Sequence, residues 1–353
     1  MRSAATLFLL AALCLALGAS RGVGSSSPPS VEELLGQRLI VGMEGTVPSA
    51  GLLARVRAGE VGGVILFGAN VRTFPQVRAL AGQLQEAARA AGQRPLLVAV
   101  DQEGGTIRRL RWAPPARTAA QLGALPASGV RASGRATALG LRAAGVNLDL
   151  APVADVPSVA GSFIGAQARA YSDDPERDAV LASAFAQGLA EGGVAATAKH
   201  FPGLGRATVS TDTTPVTIPV SRAALASDLV SFQALIAAGV PLVMLSNATY
   251  PAFDVKPGAW SPAVESLLRR TLGFDGVTIT DALEAVAKTH NRSVAASAVL
   301  AAQSGADLLL ITGKEAESDA VYRRLVAAAD AGRIPRAALQ RSYDRILTLK
   351  RSL

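Results

Sequence analysis

Short apolar runs recur along the whole chain, and most are continuous rather than alternating with polar residues. A strand that is covered on both faces has this continuous pattern, which is typical of parallel sheets. The pattern predicts eight strands, at 38–43, 63–67, 96–100, 146–152, 195–199, 241–246, 277–280 and 306–311.

Segments rich in alanine and leucine, with the spacing of helices, separate these runs. The clearest are at 74–91, 175–191, 222–238 and 293–304. Alternating strands and helices predict a parallel sheet. Eight repeats favour an α/β fold of the (β/α)8 TIM-barrel type over an open sheet, and we expect a single catalytic domain at 31–353.

The first residues have the pattern of a secretory leader. Met1 and Arg2 give a positive start, and an apolar stretch at 4–17 is too short for a membrane span. We expect a signal peptide at 1–20 and a flexible linker at 21–30. The only cysteine, Cys14, lies in the leader, which favours cleavage over lipid anchoring because Leu13 precedes it. The sequence therefore predicts a secreted, periplasmic or cell-envelope protein with no disulfide and no stable membrane insertion after cleavage.

The composition excludes a disordered chain, because 50% of the residues are hydrophobic and 18% are charged. The net charge of +8 comes mainly from scattered arginines without a block of like charges. No basic stripe with interleaved aromatic residues suggests nucleic-acid binding. Two interpretations remain open: an arginine-rich composition without function, or weak attraction to an anionic cell-wall polymer.

Polar and ionisable residues follow several of the predicted strands. In a barrel of parallel strands the carboxyl ends meet on one face, where such enzymes place their active sites. A single residue of this kind is usually a helix cap or a satisfied structural group, but a group of them indicates a site. The residues in question are Asp101, Asp155, Lys199, His200 and Asp281.

Each has an alternative structural interpretation. Asp281 fits a helix N-cap as well as a nucleophile held at the barrel mouth. Asp101 could hold a sugar diol or pair locally with Arg109. Lys199 and His200 are consecutive, so in a regular strand they would point to opposite faces, and a lone histidine there is more often structural than catalytic.

Several longer motifs identify a family. The stretches "KHFPGLG", "AVDQEGG", "GFDGVTITDAL", "GVGGVILF" and "LAPVADV" resemble glycoside hydrolase family 3, and most closely its single-domain bacterial β-N-acetylglucosaminidases. The resemblance runs from about residue 31 to the C-terminus. It implies a retaining mechanism with Asp281 as nucleophile, no metal and no organic cofactor. It also implies sugar-binding roles for Asp101, Arg109, Arg169, Lys199 and His200.

The loop after His200 departs from the family pattern, which reads "KHFPGHG" and ends in Asp-Ser-His. Here Leu204 replaces the second histidine of the quoted motif, and Asp212 stands where the catalytic histidine of the family belongs. Position 106 is threonine, where many relatives have arginine. The methionine that frequently follows the aspartate in relatives is also absent after Asp281. Because retaining glycosidases usually pair two carboxyl groups, we interpret Asp212 as the general acid/base. The alternative is that Asp212 only turns the loop through a bond to Thr214.

The resulting expectation is a secreted exo-acting β-glycosidase that removes terminal sugars, most naturally N-acetylglucosamine, from cell-wall-type glycans such as peptidoglycan fragments. The alternatives are a β-glucosidase or β-xylosidase of the same fold, a lysine-dependent aldolase using Lys199, and a sugar-binding barrel that has lost turnover. Intact Asp281 argues against a mere binding protein.

Overall fold

The computed structural model describes residues 28–353. The expected signal peptide and most of the expected linker lie outside the described residues. The strands are β1 Leu39–Val41, β2 Gly63–Ile65, β3 Leu97–Val100, β4 Gln102–Gly104, β5 Ile107–Arg108, β6 Leu148–Asp149, β7 Thr197–Phe201, β8 Leu242–Leu245, β9 Val277–Thr280 and β10 Leu309–Ile311.

Each of the eight predicted apolar runs contains or overlaps one of these strands, and all residues of those strands are buried. The antiparallel hairpin of β4 and β5 was not predicted. Its turn contains Gly104 and Gly105, whose φ angles of 113° and 56° suit glycine. The hairpin projects from the end of β3 and places Glu103 and Arg109 beyond that strand.

The strands form two parallel sheets. One has five strands in the order β10-β1-β2-β3-β6, and the other has the order β7-β8-β9. Single parallel bridges join the sheets, from Leu148 to Ala195 and from Ile279 to Leu308. The predicted parallel α/β class is confirmed, but the pairing is not one continuous eight-stranded sheet.

Local features explain the break between β6 and β7. Strand β6 has only two residues, and Pro152 follows closely without a backbone N–H to donate. The register of β7 against β8 also shifts between Ala198 and Phe201. Pairing at this point is irregular, but backbone hydrogen bonds still join the two segments, from the N–H of Thr197 to Ala151 and from the N–H of Lys199 to Pro152.

The α-helices pack outside the sheets. They are α1 Val31–Gly36, α2 Ala50–Ala58, α3 Phe74–Ala90, α4 Ala119–Leu122, α5 Ala127–Ala143, α6 Phe163–Ala166, α7 Pro175–Glu191, α8 Arg222–Leu225, α9 Val230–Ala237, α10 Pro262–Ser266, α11 Leu283–Thr289, α12 Val294–Ser304, α13 Glu315–Asp330 and α14 Arg336–Arg351.

The predicted helices at 74–91, 175–191 and 293–304 correspond closely to α3, α7 and α12. Side chains cap their N-termini, from Thr73, Asp174 and Ser293 respectively. The prediction of one helix at 222–238 was wrong, since the chain forms α8 and α9 there. No helix in 28–353 is long and apolar enough to cross a membrane.

The core has an inner and an outer layer. Inner residues such as Ile40, Leu97 and Met244 form a cluster among the strands. A larger cluster lies between the strands and the helices and includes Leu34, Val98 and Phe185. Since parallel strands all point the same way, their carboxyl ends lie above the inner cluster at one edge of the fold.

Candidate active site

A cavity of about 510 Å³ lies at the carboxyl ends of the strands. The structure brings all the predicted site residues to its wall: Asp101, Arg109, Arg169, Lys199, His200, Asp212 and Asp281. They come from loops and strand ends far apart in sequence. The fold, and not local sequence, therefore assembles the cavity.

Lys199 lies at the centre of a buried charge network. Its Nζ is 2.9 Å from Asp101 Oδ1 and 2.7 Å from Glu103 Oε1. Arg169 donates two hydrogen bonds of 2.8 Å to Glu103, and Arg109 lies 3.1 Å from Asp101. The local Asp101–Arg109 pair considered above is present, but both residues line the cavity and the pair does not exclude a binding role.

The network has more positive than negative charge. Burial opposes ionisation of Glu103, yet Lys199 and Arg169 hold its pKa at about 2. Burial likewise opposes the charge of Lys199, but Asp101 and Glu103 raise its pKa above the ordinary value. Three cations thus face two carboxylates. The network offers charged donors and acceptors of the kind that bind sugar hydroxyls.

An unexpected carboxyl group lies next to this network. Asp149, at the end of β6, is fully buried and accepts a hydrogen bond of 2.9 Å from the backbone N–H of Gln102. Burial raises its pKa to about 8. Burial thus favours the protonated form of Asp149, in contrast to Asp101 and Glu103, whose neighbouring cations favour the charged form.

Lys199 and His200 both face the cavity, although they are adjacent in β7. A regular strand would direct them to opposite faces. Strand β7 is not regular at these two residues: its register against β8 shifts between Ala198 and Phe201, and the peptide bond between Lys199 and His200 is cis. The sequence did not reveal this irregularity.

Asp155 orients His200. Its Oδ2 lies 2.7 Å from His200 Nδ1, and its Oδ1 accepts hydrogen bonds from the backbone N–H groups of His200 and Leu204. Asp155 is fully buried. One carboxylate thus fixes both an imidazole and the start of the following loop. The sequence placed Asp155 after a strand, but its partner became visible only in three dimensions.

Asp281 follows β9 directly and lines the floor of the cavity. Helix α11 begins at Leu283 with Ala282 as its N-cap residue, so Asp281 is not the N-cap. Its Oδ1 accepts a hydrogen bond of 2.7 Å from the N–H of Ala282. Burial raises the pKa of Asp281, His200 lowers it, and Asp212 raises it further.

Asp212 is exposed at the mouth of the cavity. Ser210 closes the turn around it: its Oγ accepts from the N–H of Asp212 at 3.2 Å, and its carbonyl accepts from the N–H of Thr214 at 3.3 Å. In the described part of the chain, the Asp212 side chain does not form the alternative hydrogen bond to Thr214. The Asp212 carboxylate is thus free to act toward the cavity.

Two glycines allow the loop to begin where it does. Gly203 has a φ of 129°, which is strained for other residues. A Cβ at Gly205 would collide with the carbonyl oxygen of Val156. The base of the loop therefore packs against the segment that contains Asp155, while Asp212 lies at its exposed end.

Two further carboxyl groups of the cavity wall, those of Glu103 and Glu284, are engaged by neighbouring groups. Glu103 pairs with Lys199 and Arg169. Glu284 lines the cavity but accepts hydrogen bonds from Thr312 at 2.7 Å and from the N–H of Gly313 at 2.9 Å. In the described residues, no group of three or more His, Cys, Asp or Glu side chains is arranged to hold a metal ion.

The chain is similar to known proteins over most of its length. Residues 30–349 match the model of the glycosyl hydrolase family 3 N-terminal domain. An uncharacterised secreted glycosyl hydrolase of Arthroderma benhamiae is 35% identical, over 90% of this chain and 92% of the relative. A β-hexosaminidase of Xanthomonas oryzae pv. oryzae is 36% identical, over 85% of this chain and 92% of the relative.

A solved structure is also similar. The β-N-acetylhexosaminidase of Beutenbergia cavernae superposes with a TM-score of 0.84 at 36% identity, over 92% of this chain and 99% of that one. The chain therefore belongs to glycosyl hydrolase family 3, and it is a glycosidase that acts on O-glycosyl bonds.

Proposed function

We propose that the protein is a secreted, retaining, exo-acting β-N-acetylhexosaminidase that hydrolyses terminal β-linked N-acetylglucosamine through a covalent glycosyl-enzyme. The observation that carries this proposal is the position of Asp281. It is a partly buried carboxylate directly after β9, in a cavity whose wall also carries Asp212. The similarity to a β-hexosaminidase and to a β-N-acetylhexosaminidase structure supports the choice of sugar.

In the first step, Asp281 attacks the anomeric carbon while Asp212 protonates the departing glycosidic oxygen. Retaining enzymes place two carboxyl groups about 5–5.5 Å apart for this purpose. The effect of Asp212 on the pKa of Asp281 indicates that the two groups lie close enough to interact.

In the second step, Asp212 removes a proton from water, which attacks the anomeric carbon and releases Asp281. The same residue serves first as acid and then as base. Its exposed position at the cavity mouth gives water access. No metal or organic cofactor enters either step.

The charge network binds the sugar in this proposal. Asp101 and Glu103 accept hydrogen bonds from hydroxyl groups, and Arg109, Arg169, Lys199 and His200 donate them. A lysine that forms a Schiff base must have a lowered pKa. The raised pKa of Lys199 therefore argues against the aldolase alternative.

We also propose that the two sheets act as one (β/α)8 barrel, with 31–353 as a single catalytic domain. The bridges at Leu148–Ala195 and Ile279–Leu308 support closure on both sides. Export through a cleaved leader at 1–20 and a linker at 21–30 completes the proposal. The relative in Arthroderma benhamiae is described as secreted.

The decisive experiment is a panel of aryl β-glycosides assayed on the purified protein. N-acetyl-β-glucosaminide should be hydrolysed with net retention, which NMR of the first-formed anomer detects. Faster hydrolysis of β-glucoside or β-xyloside would favour the alternative glycosidase, since the sequence departs from the family pattern at Thr106 and after Asp281. Binding without turnover of any glycoside would favour an inactive sugar-binding barrel.

A further inference from the structure

A second concave surface lies outside the active-site cavity, between α3 and the end of α5. It encloses about 430 Å³ and is lined by Phe74, Arg78, Gln85, Arg142 and small residues. No acidic side chain lines it. We call this groove, together with the adjoining Trp112, the Trp112 surface.

The Trp112 surface has an aromatic wall. The ring of Trp112 meets that of Phe74 edge to face, with centroids 6.0 Å apart and an interplanar angle of 87°. Trp112 remains 38% exposed. A large ring that is held by another ring and open to solvent is preorganised to pack against the apolar face of a sugar.

The arginines of the surface have unused donors. Arg78 is exposed and makes no salt bridge within 28–353, and Arg142 uses Nη1 to donate to the carbonyl of Gly193 at 2.7 Å. The nearby Glu86 is already paired with Arg89. Guanidinium groups bind carboxylates through two parallel hydrogen bonds. The groove is thus complementary to an anionic group.

The side-chain amide of Gln85 lines the groove, but its hydrogen bonds are already made within the protein. Its Nε2 donates to the carbonyl of Leu96, and its Oε1 accepts from the N–H of the same residue. The polar recognition capacity of the groove therefore rests on Arg78 and Arg142.

Trp112 lies close in sequence to the wall of the active-site cavity. Arg109 lines that cavity and lies over the ring of Phe67, with 5.7 Å from Cζ to the centroid. Trp112 follows Arg109 by three residues, which an extended chain spans in at most about 11 Å. Trp112 therefore marks the end of the surface nearer the cavity, whereas Arg142, which donates to the carbonyl of Gly193 ahead of β7, lies toward the amino ends of the strands. Only a polymer of several sugar units can extend along the whole surface.

We propose that the Trp112 surface is a secondary binding site for the glycan chain that the enzyme shortens, and that it selects chains carrying carboxylate groups. This inference rests on the proposed function, because it requires a polymeric carbohydrate substrate. Trp112 packs against a sugar ring, and Arg78 and Arg142 bind the carboxylates. The site increases affinity for the polymer without taking part in bond cleavage.

The test measures binding of soluble carboxymethyl chitin and of the neutral polymer glycol chitin by calorimetry. An Asp281→Ala background prevents cleavage during the titration. Long polymers have few chain ends, so binding at the exo-acting cavity contributes little to the signal. Trp112→Ala should weaken binding of both polymers about ten-fold, as expected for the loss of an aromatic anchor.

Arg78→Gln should weaken binding of carboxymethyl chitin about ten-fold, since a charge-assisted hydrogen bond is lost, and should change glycol chitin binding little. The control is Arg324→Gln, which removes another exposed arginine, from α13, and should change neither affinity. Arg78 is on an exposed helix position, so this variant keeps the test available if Trp112→Ala fails to fold.

Trp112→Ala and Arg78→Gln are also prepared with Asp281 intact. Each should hydrolyse a small aryl N-acetyl-β-glucosaminide at the same rate as the parent. Failure of the parent on all aryl glycosides would reject the proposed function, whereas the binding measurement would still test the surface. Unchanged affinity of both variants for carboxymethyl chitin would overturn the inference. Binding of the variants to phosphatidylglycerol vesicles is measured as well. Weaker binding to the vesicles alone, with unchanged affinity for the polymers, would indicate a membrane-binding surface and would also overturn the inference.

Discussion

The imidazole of His200 is fixed by Asp155, whose Oδ2 lies 2.7 Å from Nδ1. Carboxylate oxygens accept hydrogen bonds, so Nδ1 carries the hydrogen and Nε2 is the nitrogen left for other partners. The same carboxylate holds the N–H groups of His200 and Leu204. Asp155 therefore determines both the tautomer of His200 and the path of the loop that follows it.

Asp155→Asn separates these two effects. The amide oxygen can keep both backbone bonds, while the amide nitrogen would donate to Nδ1 and reverse the histidine tautomer. We expect kcat/KM to fall about ten- to a hundred-fold, the scale of one charge-assisted hydrogen bond, with little change in Tm. Asp173→Asn on the surface is the matched control. A parental kcat/KM in Asp155→Asn would remove His200 orientation from the mechanism.

Asp281→Ala should lower kcat by several orders of magnitude, because covalent catalysis is lost. The fold should persist. Burial raises the pKa of Asp281, so its contribution to stability is present only at low pH and is lost as pH rises through the folded-state pKa. At pH 7 the variant should therefore be at least as stable as the parent, which thermal unfolding measures.

The nucleophile can also be identified directly. A fluorosugar inactivator should label Asp281 in the parent, and mass spectrometry of a digest locates the label. A label on Asp101 or Asp155 would overturn the assignment.

Asp212→Ala should slow substrates with poor leaving groups far more than activated aryl glycosides, because only the former need protonation. Added azide should partly restore turnover of activated substrates, since an anionic nucleophile needs no general base. Ser210→Ala is a useful comparison, as it removes the hydroxyl that closes the turn but keeps the carboxylate. Equal losses on both substrate types would assign Asp212 to the loop structure alone.

The acid limb of kcat/KM should depend on Asp212. Asp281 must be ionised to attack, and burial and Asp212 raise its pKa, while His200 and Lys199 lower it. Asp212→Asn removes a negative neighbour, so the limb should move to lower pH when an activated aryl glycoside is the substrate. Glu284→Gln, another cavity carboxylate, should leave the limb in place. Movement to higher pH would contradict the proposed pairing.

Glu103→Gln should destabilise the fold by about 3 kcal/mol at pH 7, because it breaks a buried ion pair and leaves Lys199 and Arg169 undercompensated. The pKa of Glu103 is about 2, against an ordinary 4.5. Its contribution is therefore complete above pH 4.5 and is lost as pH falls toward 2. Denaturant unfolding should show a smaller difference from the parent at pH 3 than at pH 7. The exposed Glu86→Gln should show little difference at either pH.

The fold was largely accessible from the sequence because buried parallel strands leave long apolar runs. All eight runs carried strands, and the family motifs led to side chains that line one cavity. The β4–β5 hairpin was missed because it is short and polar, and the break at 226–229 because α8 and α9 share one alanine-rich pattern. The linkage of Glu103 to Lys199 and of Asp155 to His200 was missed because pairing across the cavity leaves no local pattern.

The loop after His200 is anchored at one end and exposed at the other. Gly205 packs against Val156 and the N–H of Leu204 is held by Asp155, whereas Asp212 stands in solvent. Under the proposed roles, a substitution at the tip would change the proton-transfer group while the cavity residues near the base of the loop keep their geometry. Histidine in place of Asp212 would then change the pH optimum without changing the sugar that is recognised.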